Sequence, residues 1–152
     1  MYVLGYCLPL TKTNNFIYIQ VTGDSICMTP LVRAIQCKRL DIMRLLIEHG
    51  ADLEIKVRSV GTPLSVATCY NLHHDTSAVK LLLEHGADVN QRQKHGETVL
   101  FTAIAEKQRN LVELLLEHSA DVNHRQDNGQ TVLFTAVTCT SQQMFIYFCM
   151  YN

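Results

Sequence analysis

The chain has 152 residues, of which 47% are hydrophobic and 18% charged, and its formal net charge is −1. This composition is typical of one folded domain and excludes a disordered polar chain. Because the charge is nearly balanced, there is no general attraction to nucleic acid or to an anionic membrane, and we expect neither as a partner.

The cysteines favour an intracellular protein. They contain no C-x-x-C pair and do not match the framework of a small secreted domain, so we expect reduced thiols in the cytoplasm, with the nucleus as an alternative. The six are Cys7, Cys27, Cys37, Cys69, Cys139 and Cys149. No run of 18 apolar residues predicts a membrane-spanning helix. Met1–Leu10 is apolar but lacks the preceding basic residue of a signal peptide.

The first 22 residues form a non-repeat segment. Within it, Phe16–Val21 (FIYIQV) is rich in β-branched and aromatic residues. Such a run predicts either a short strand or an apolar lid on the unit that follows, and both interpretations stay open.

Four units then begin with a threonine that predicts a helix start. They start at Thr29, Thr62, Thr98 and Thr131, with spacings of 33, 36 and 33 residues. Threonine caps the free amides of a helix, and the proline that follows the first two suits the first helical position. An alanine lies five residues after each threonine, where a small side chain lets helices approach closely. These are Ala34, Ala67, Ala103 and Ala136.

A second helix follows in each of the first three units, in near copies of one segment. The copies are DIMRLLIEHGADLE at Asp41–Glu54, SAVKLLLEHGADVN at Ser77–Asn90 and NLVELLLEHSADVN at Asn110–Asn123. Such a period indicates a stacked-repeat protein, in which each unit needs a neighbour to cover its apolar face.

The apolar residues at i, i+3 and i+4 of each second helix predict the buried face. They are Ile42, Leu45 and Leu46; Ala78, Leu81 and Leu82; and Leu111, Leu114 and Leu115. Gly50 and Gly86 fit left-handed caps after this helix. Ser119 takes that place in the third unit, at a predicted cost of about 1 kcal/mol.

The recurring pattern G-x-T-P-L…A…LLLEHGADVN resembles the ankyrin repeat, from Gly23 to the C-terminus. The resemblance implies an all-α solenoid of paired antiparallel helices with β-hairpin loops and a concave binding face. The repeats would span about 29–57, 62–93, 98–126 and 131–152.

Two units depart from this pattern. The second is three residues longer, near Tyr70–Asp75, which costs little in a surface loop. In the fourth, Met144, Phe145, Tyr147 and Phe148 take the places of the apolar residues of a second helix, and the chain then stops without a cap. Because a terminal repeat needs a polar outer face, we expect a longer array, further ankyrin repeats or a partner to cover Phe145–Met150.

The histidines and cysteines predict no metal site or catalytic centre. His49, His85 and His118 recur in register, but a row of rings does not converge on one zinc ion and instead suits the negative end of each helix. The group of Cys69, His73 and His74 has no zinc-site spacing. Since no catalytic or nucleotide-binding motif is present either, we expect no enzyme and no cofactor.

Basic residues recur along the loops between units. Lys56, Arg92 and Arg125 occupy equivalent positions, and Arg58 and Lys94 lie two residues after the first two. They form either a positive stripe that steers an acidic partner or an ordinary solvated edge.

The resemblance also implies a contact surface made of the hairpin tips and the exposed ends of the first helices. The tips supply Arg58, Ser59, Lys94, His95, Glu97, Asp127, Asn128 and Gln130. The helix ends supply Gln36, Cys37, Tyr70 and Glu106. Tyr70 is either an anchor for the partner or packing beneath the insertion.

The functional prediction is a non-catalytic protein–protein interaction module, a scaffold or adaptor that binds a partner protein through the concave face. The alternative is a part of a larger multidomain ankyrin protein, such as a ubiquitin-ligase substrate adaptor, a channel or a host-interacting effector.

Overall fold

The computed structural model describes residues 19–20, 27–57, 61–70 and 75–139. In these parts of the chain, two short antiparallel strands precede seven α-helices. They are β1 (Ile19–Gln20), β2 (Cys27–Met28), α1 (Pro30–Gln36), α2 (Leu40–Glu48), α3 (Pro63–Cys69), α4 (Ser77–Glu84), α5 (Val99–Ala105), α6 (Arg109–Glu117) and α7 (Val132–Cys139). Strand β1 lies inside the segment Phe16–Val21, and it pairs with β2 directly before α1.

The helix starts follow the threonines of the sequence pattern. The hydroxyl groups of Thr29, Thr62 and Thr131 each accept a hydrogen bond from the backbone amide three residues on, at 3.2–3.3 Å. This bond satisfies one of the free donors of the first turn. Thr98 differs, because α5 begins directly after it but its side chain caps no amide. The predicted helix start is therefore confirmed there, and the predicted side-chain cap is wrong.

The second helix of each complete unit ends in the same left-handed cap. Gly50, Gly86 and Ser119 have φ angles of 81°, 88° and 64°. In all three units the amide of the next residue bonds the carbonyl five residues back at 3.0 Å, which is the Schellman arrangement. Ser119 thus holds a conformation that suits glycine, as the sequence predicts.

We predict that Ser119→Gly raises the free energy of unfolding by about 1 kcal/mol, because removing the side-chain clash outweighs the extra freedom of unfolded glycine. Urea denaturation measures the effect. The matched change Gly86→Ser, at the equivalent cap of the second unit, should lower stability by a similar amount. A Ser119→Gly protein no more stable than the parent would contradict the strain at this cap.

The helices form two layers. The first helices of the units, α1, α3, α5 and α7, pack side by side in sequence order, while α2, α4 and α6 pack behind α1, α3 and α5. The alanine five residues after each threonine is buried in all four units, as its small side chain predicts. Close helix packing at these alanines produces the regular stack.

The apolar face of α2 differs from the prediction. Met43 and Ile47 are buried, whereas Ile42 is exposed and Leu45 is 55% exposed. In the next unit the equivalent of Leu45 is Leu81, which is only 2% exposed, and α4 packs against α2. This position therefore faces the preceding unit, and in α2 it lies at the uncovered end of the described stack.

An apolar face is also uncovered on α7. Leu133, Phe134 and Val137 are 40%, 52% and 58% exposed, whereas their equivalents in α5 (Leu100, Phe101 and Ile104) are at most 2% exposed. The α7 helix covers α5, and no described residue covers α7 in the same way. The predicted second helix of the fourth unit, with Phe145–Met150, lies outside the described residues.

Hydrogen bonds from one position of the pattern link consecutive units. The Glu54 carboxylate accepts from the backbone amide of Asp88 at 2.8 Å and from the amide group of Gln91 at 3.1 Å. One unit later, Asn90 takes the same place: it accepts from the Asp121 amide at 2.8 Å. The stack is thus joined by polar side chains as well as by apolar contacts. No described helix has the length and hydropathy of a membrane span.

Candidate functional site

The exposed residues at the ends of α1, α3 and α5 form a row along one side of the stack. Cys37, Tyr70 and Glu106 follow these helices at equivalent positions, and all three are exposed. The amide group of Gln36 donates a hydrogen bond to the Tyr70 hydroxyl at 3.3 Å, which links the first two units on this side. Tyr70 itself is 41% exposed, so a large aromatic surface remains open to solvent.

Cys69 lies beside Tyr70 and close to Glu106. Partial burial of its thiol and, secondarily, the negative charge of Glu106 raise the pKa of Cys69. The thiol is therefore held in its neutral form more firmly than a cysteine in a peptide. Since the thiolate is the reactive species, a raised pKa makes this cysteine less reactive than an ordinary thiol.

We predict that Glu106→Gln lowers the pKa of Cys69 and speeds its alkylation by iodoacetamide at pH 8, because the neighbouring negative charge is removed. Peptide mass spectrometry resolves the rate at Cys69 from those at the other cysteines. Glu117→Gln, on the opposite helix layer, is the control and should leave the rate unchanged. Equal rates in all three proteins would show that Glu106 does not act on this thiol.

The loops between units share one backbone closure. The amides of Val57, Gln93 and Gln126 donate to the carbonyl groups four residues on, at 2.9, 2.7 and 2.9 Å. Each closure brings the chain back towards the next threonine. In the two loops that are described throughout, the residues between form a tip, which is exposed at residues 94–95 and 127–129 and buried at Gly96.

The basic residues of the loops are partly engaged with neighbouring loops. Lys56 donates to the carbonyl oxygen of Arg92 at 2.9 Å, and the Arg92 guanidinium pairs with the Asp127 carboxylate at 2.8 Å. These contacts reduce the free positive charge of the proposed stripe. Lys94 and Arg125 are exposed.

The tip at residues 94–97 has an unusual backbone. His95 has a φ angle of 59° without being glycine, and Gly96 is buried with a φ angle of 73°. The His124 ring donates from Nε2 to the Gly96 carbonyl at 2.8 Å, and the Asp127 amide donates to the His95 carbonyl at 3.0 Å. The next loop thus fixes this tip in a conformation that costs free energy locally.

Equivalent glutamines in two loops make different contacts. Gln93 donates its amide group to the hydroxyl of Thr62 at 3.2 Å. Gln126 instead donates to the Glu97 carboxylate at 3.4 Å, and the buried Thr98 hydroxyl has no hydrogen-bond partner among the described residues. The residue before the threonine is glycine in the first case and glutamate in the second, so only Gln126 has a competing acceptor.

The predicted contact residues fall into three groups. Arg58 and Ser59 lie outside the described residues. Glu97 and Gln36 are half-buried. The remaining tip and helix-end residues are exposed. The structure connects Lys56, Arg92 and Asp127 into one chain of contacts. Gln126 and His124, which hold the tip, do not appear in the sequence prediction, although Gln126 repeats Gln93 in register.

The repeated histidines have a local role. His49 and His85 donate from Nδ1 to the carbonyls of Leu45 and Leu81, at 2.7 and 2.8 Å. These bonds add a side-chain donor at the last turn of α2 and α4, where carbonyl groups have few helical partners. The Leu45 carbonyl also accepts from the His49 backbone amide at 3.1 Å. Within the described ranges no three side chains of histidine, cysteine, aspartate or glutamate are grouped for a metal ion.

Comparison with known proteins gives the same picture. A family model described as "Ankyrin repeats (3 copies)" matches residues 64–152, and one described as "Ankyrin repeat" matches residues 27–57. This chain is similar to the crystal structure of the ankyrin repeat domain of Bcl-3, which is described as a unique member of the IkappaB protein family. The TM-score is 0.72 and the sequence identity is 28%. The match covers 80% of this chain and 51% of the other, so this chain spans about half of that domain's length.

No curated protein matches the chain at a significant level. The two family models together cover most of the sequence, and the helix pairs, caps and loops repeat with the matching period. Ankyrin repeats are in general protein–protein interaction modules and are typically non-enzymatic. This chain belongs to the ankyrin repeat family.

Proposed function

We propose that this chain binds a partner protein through one side of its stack and has no catalytic activity of its own. The binding surface consists of the first-helix ends around Tyr70 and the loop tips around Lys94. The observation that carries the proposal is the row of exposed helix-end residues with Tyr70 at its centre, 41% exposed and already linked to the preceding unit through Gln36.

Two physical properties of this surface support binding. Tyrosine contributes a large amphipathic contact area at a low entropic cost and is frequent among binding hot spots. The tips are held by bonds between loops, including the Arg92–Asp127 pair, so less conformational freedom is lost on binding. Shape and preorganisation thus favour a folded partner or an extended peptide laid across several units.

Affinity capture with matched variants tests this surface. Partners captured from a lysate by the parent protein and identified by mass spectrometry should be lost with Tyr70→Ala/Lys94→Ala. The control Leu45→Ala/Arg44→Ala also removes one exposed apolar group and one exposed cation, but from α2 on the other layer. It should retain the same partners.

Thermal denaturation of both double variants checks that they remain folded. Unchanged capture by the Tyr70→Ala/Lys94→Ala protein would reject the proposed surface. Loss of capture by the control alone would instead indicate a binding surface on the layer formed by α2, α4 and α6.

A second candidate function uses the same surface inside a larger assembly, such as a substrate adaptor. The uncovered apolar face of α7 favours it, because Leu133, Phe134 and Val137 are exposed where their equivalents are buried. A protein that carries further units in register after α7 should be more stable than this chain. Equal stability of the longer protein and this chain would reject the second candidate function and leave only the first.

We place the protein in the cytoplasm or nucleus. Within the described residues Cys37 and Cys69 are free thiols, and reducing compartments keep cysteines in this state. Imaging of a tagged protein tests the placement, and secretion would contradict it.

A further inference from the structure

Glu97 changes the hydrogen bonding of its own unit relative to the preceding one. The two glutamines at equivalent places show the effect: Gln93 reaches the Thr62 hydroxyl, whereas Gln126 bonds Glu97 and leaves the buried Thr98 hydroxyl unpartnered. A buried hydroxyl oxygen without a partner is costly, while a long bond at an accessible carboxylate contributes little. The local arrangement around Glu97 is thus the less stable of the two.

The Glu97 carboxylate is held only by a long hydrogen bond. In the described parts of the chain it accepts one recorded side-chain hydrogen bond, from Gln126 at 3.4 Å, and no lysine or arginine nitrogen lies within 4.0 Å of it. Of the two cations of the same loop, Arg92 is already paired with Asp127, and the exposed Lys94 makes no ion pair with Glu97. A charge-assisted bond to a cation would be stronger than the present contact.

We propose that Glu97 binds a cationic side chain of the partner protein and that this contact releases Gln126 to the Thr98 hydroxyl. The proposal rests on the proposed function and names one contact of it. A guanidinium or ammonium group replaces the Gln126 amide at the carboxylate. Gln126 then donates to the Thr98 hydroxyl as Gln93 donates to the Thr62 hydroxyl. The loop that contains Gln126 is thereby linked to the start of α5.

The exchange gives the contact a property that a simple surface ion pair lacks. Each bond lost by Gln126 is replaced by another, and a buried hydroxyl gains a partner as the cation binds. Binding therefore stabilises the third unit as well as the interface. The matched loop with Gln93 cannot respond in this way, since Gly61 precedes its threonine.

A thermodynamic cycle tests the exchange in the full chain without any partner. The four proteins are the parent, Glu97→Ala, Thr98→Val and the double variant. Glu97→Ala should raise the Tm by about 3 °C, because Gln126 is freed for Thr98. In the Thr98→Val background the same change should raise the Tm by less than about 1 °C, since no hydroxyl is left to bind.

NMR of the Gln126 side-chain amide reports the same event directly. Its resonances should move in Glu97→Ala and not in the double variant. Gln130→Ala is the matched control, since Gln130 precedes Thr131 as Glu97 precedes Thr98, and it should leave both Tm and the Gln126 resonances unchanged. An equal Tm rise with and without the Thr98 hydroxyl, or a fall in Tm with Glu97→Ala, would overturn the exchange.

N-acetylarginine amide serves as the cationic probe, with N-acetylcitrulline amide as its uncharged analogue. At about 20 mM, suited to a single weak contact, the arginine probe should shift the Gln126 resonances in the direction seen for Glu97→Ala. Equal shifts with the citrulline probe, or none with either, would overturn the cation contact. The cycle uses no partner, so its failure is distinct from failure of the capture experiment.

Discussion

Leu81→Ala is expected to lower the free energy of unfolding by about 3 kcal/mol, the typical effect of deleting a buried leucine side chain and leaving a cavity. Leu81 is 2% exposed on α4 and faces the preceding unit. Its loss weakens both the second unit and its contact with the first. In a stack stabilised by contacts between neighbours, such a change should reduce cooperativity as well as stability. Urea denaturation followed by circular dichroism measures both.

The control is Leu45→Ala, the same change at the equivalent position of α2. Because Leu45 is mostly exposed, its truncation should alter stability by less than about 0.5 kcal/mol. Similar losses at the two positions would contradict the placement of Leu45 at the uncovered end of the described part of the stack.

Ala103→Leu is expected to destabilise the protein by about 2–3 kcal/mol through overpacking. Ala103 is fully buried in α5, which packs against α3, α6 and α7. The three added carbon atoms have no free volume, so a neighbouring helix must shift. The shift should appear as a lower midpoint in urea and as altered resonances of residues in the neighbouring helices.

Ala105→Leu, two residues later in the same helix, is the matched control. Ala105 is exposed, and leucine is a good helix former, so stability should stay within about 0.5 kcal/mol of the parent. A large loss at both positions would indicate an effect on the helix itself rather than on its packing.

The sequence predicts the repeat unit well because the relevant signals are local. The threonine starts, the left-handed cap at Ser119 and the small residue at Ala103 each depend on a few neighbours along the chain. The exposure of Leu45 could not be predicted from this pattern. Leu45 and Leu81 have the same local sequence context, and what differs is whether another unit lies against them.

The candidate site is predictable in position but not in its contacts. The register of the loops predicts Lys94 and Glu97 at a tip and Arg92 beside it; in the structure Arg92 and Lys94 are exposed and Glu97 is half-buried. The pairing of Arg92 with Asp127 crosses from one loop to the next, and the bond of Gln126 to Glu97 rather than to Thr98 depends on how two loops lie against each other. Composition and spacing carry no information about either.

The links made by Glu54 and Asn90 have a consequence for the evolution of array length. Both side chains present an oxygen atom to the same backbone amide of the following unit, and so a glutamate and an asparagine can both fill this acceptor role. Asn90 in addition donates to the Ser119 carbonyl at 3.2 Å, which a carboxylate cannot do. A recombination event that removed the intervening unit would bring Glu54 opposite the amide of Asp121 and restore this hydrogen bond. Such an array can therefore gain or lose a whole repeat unit in one crossover while the hydrogen bond between the remaining neighbours is kept.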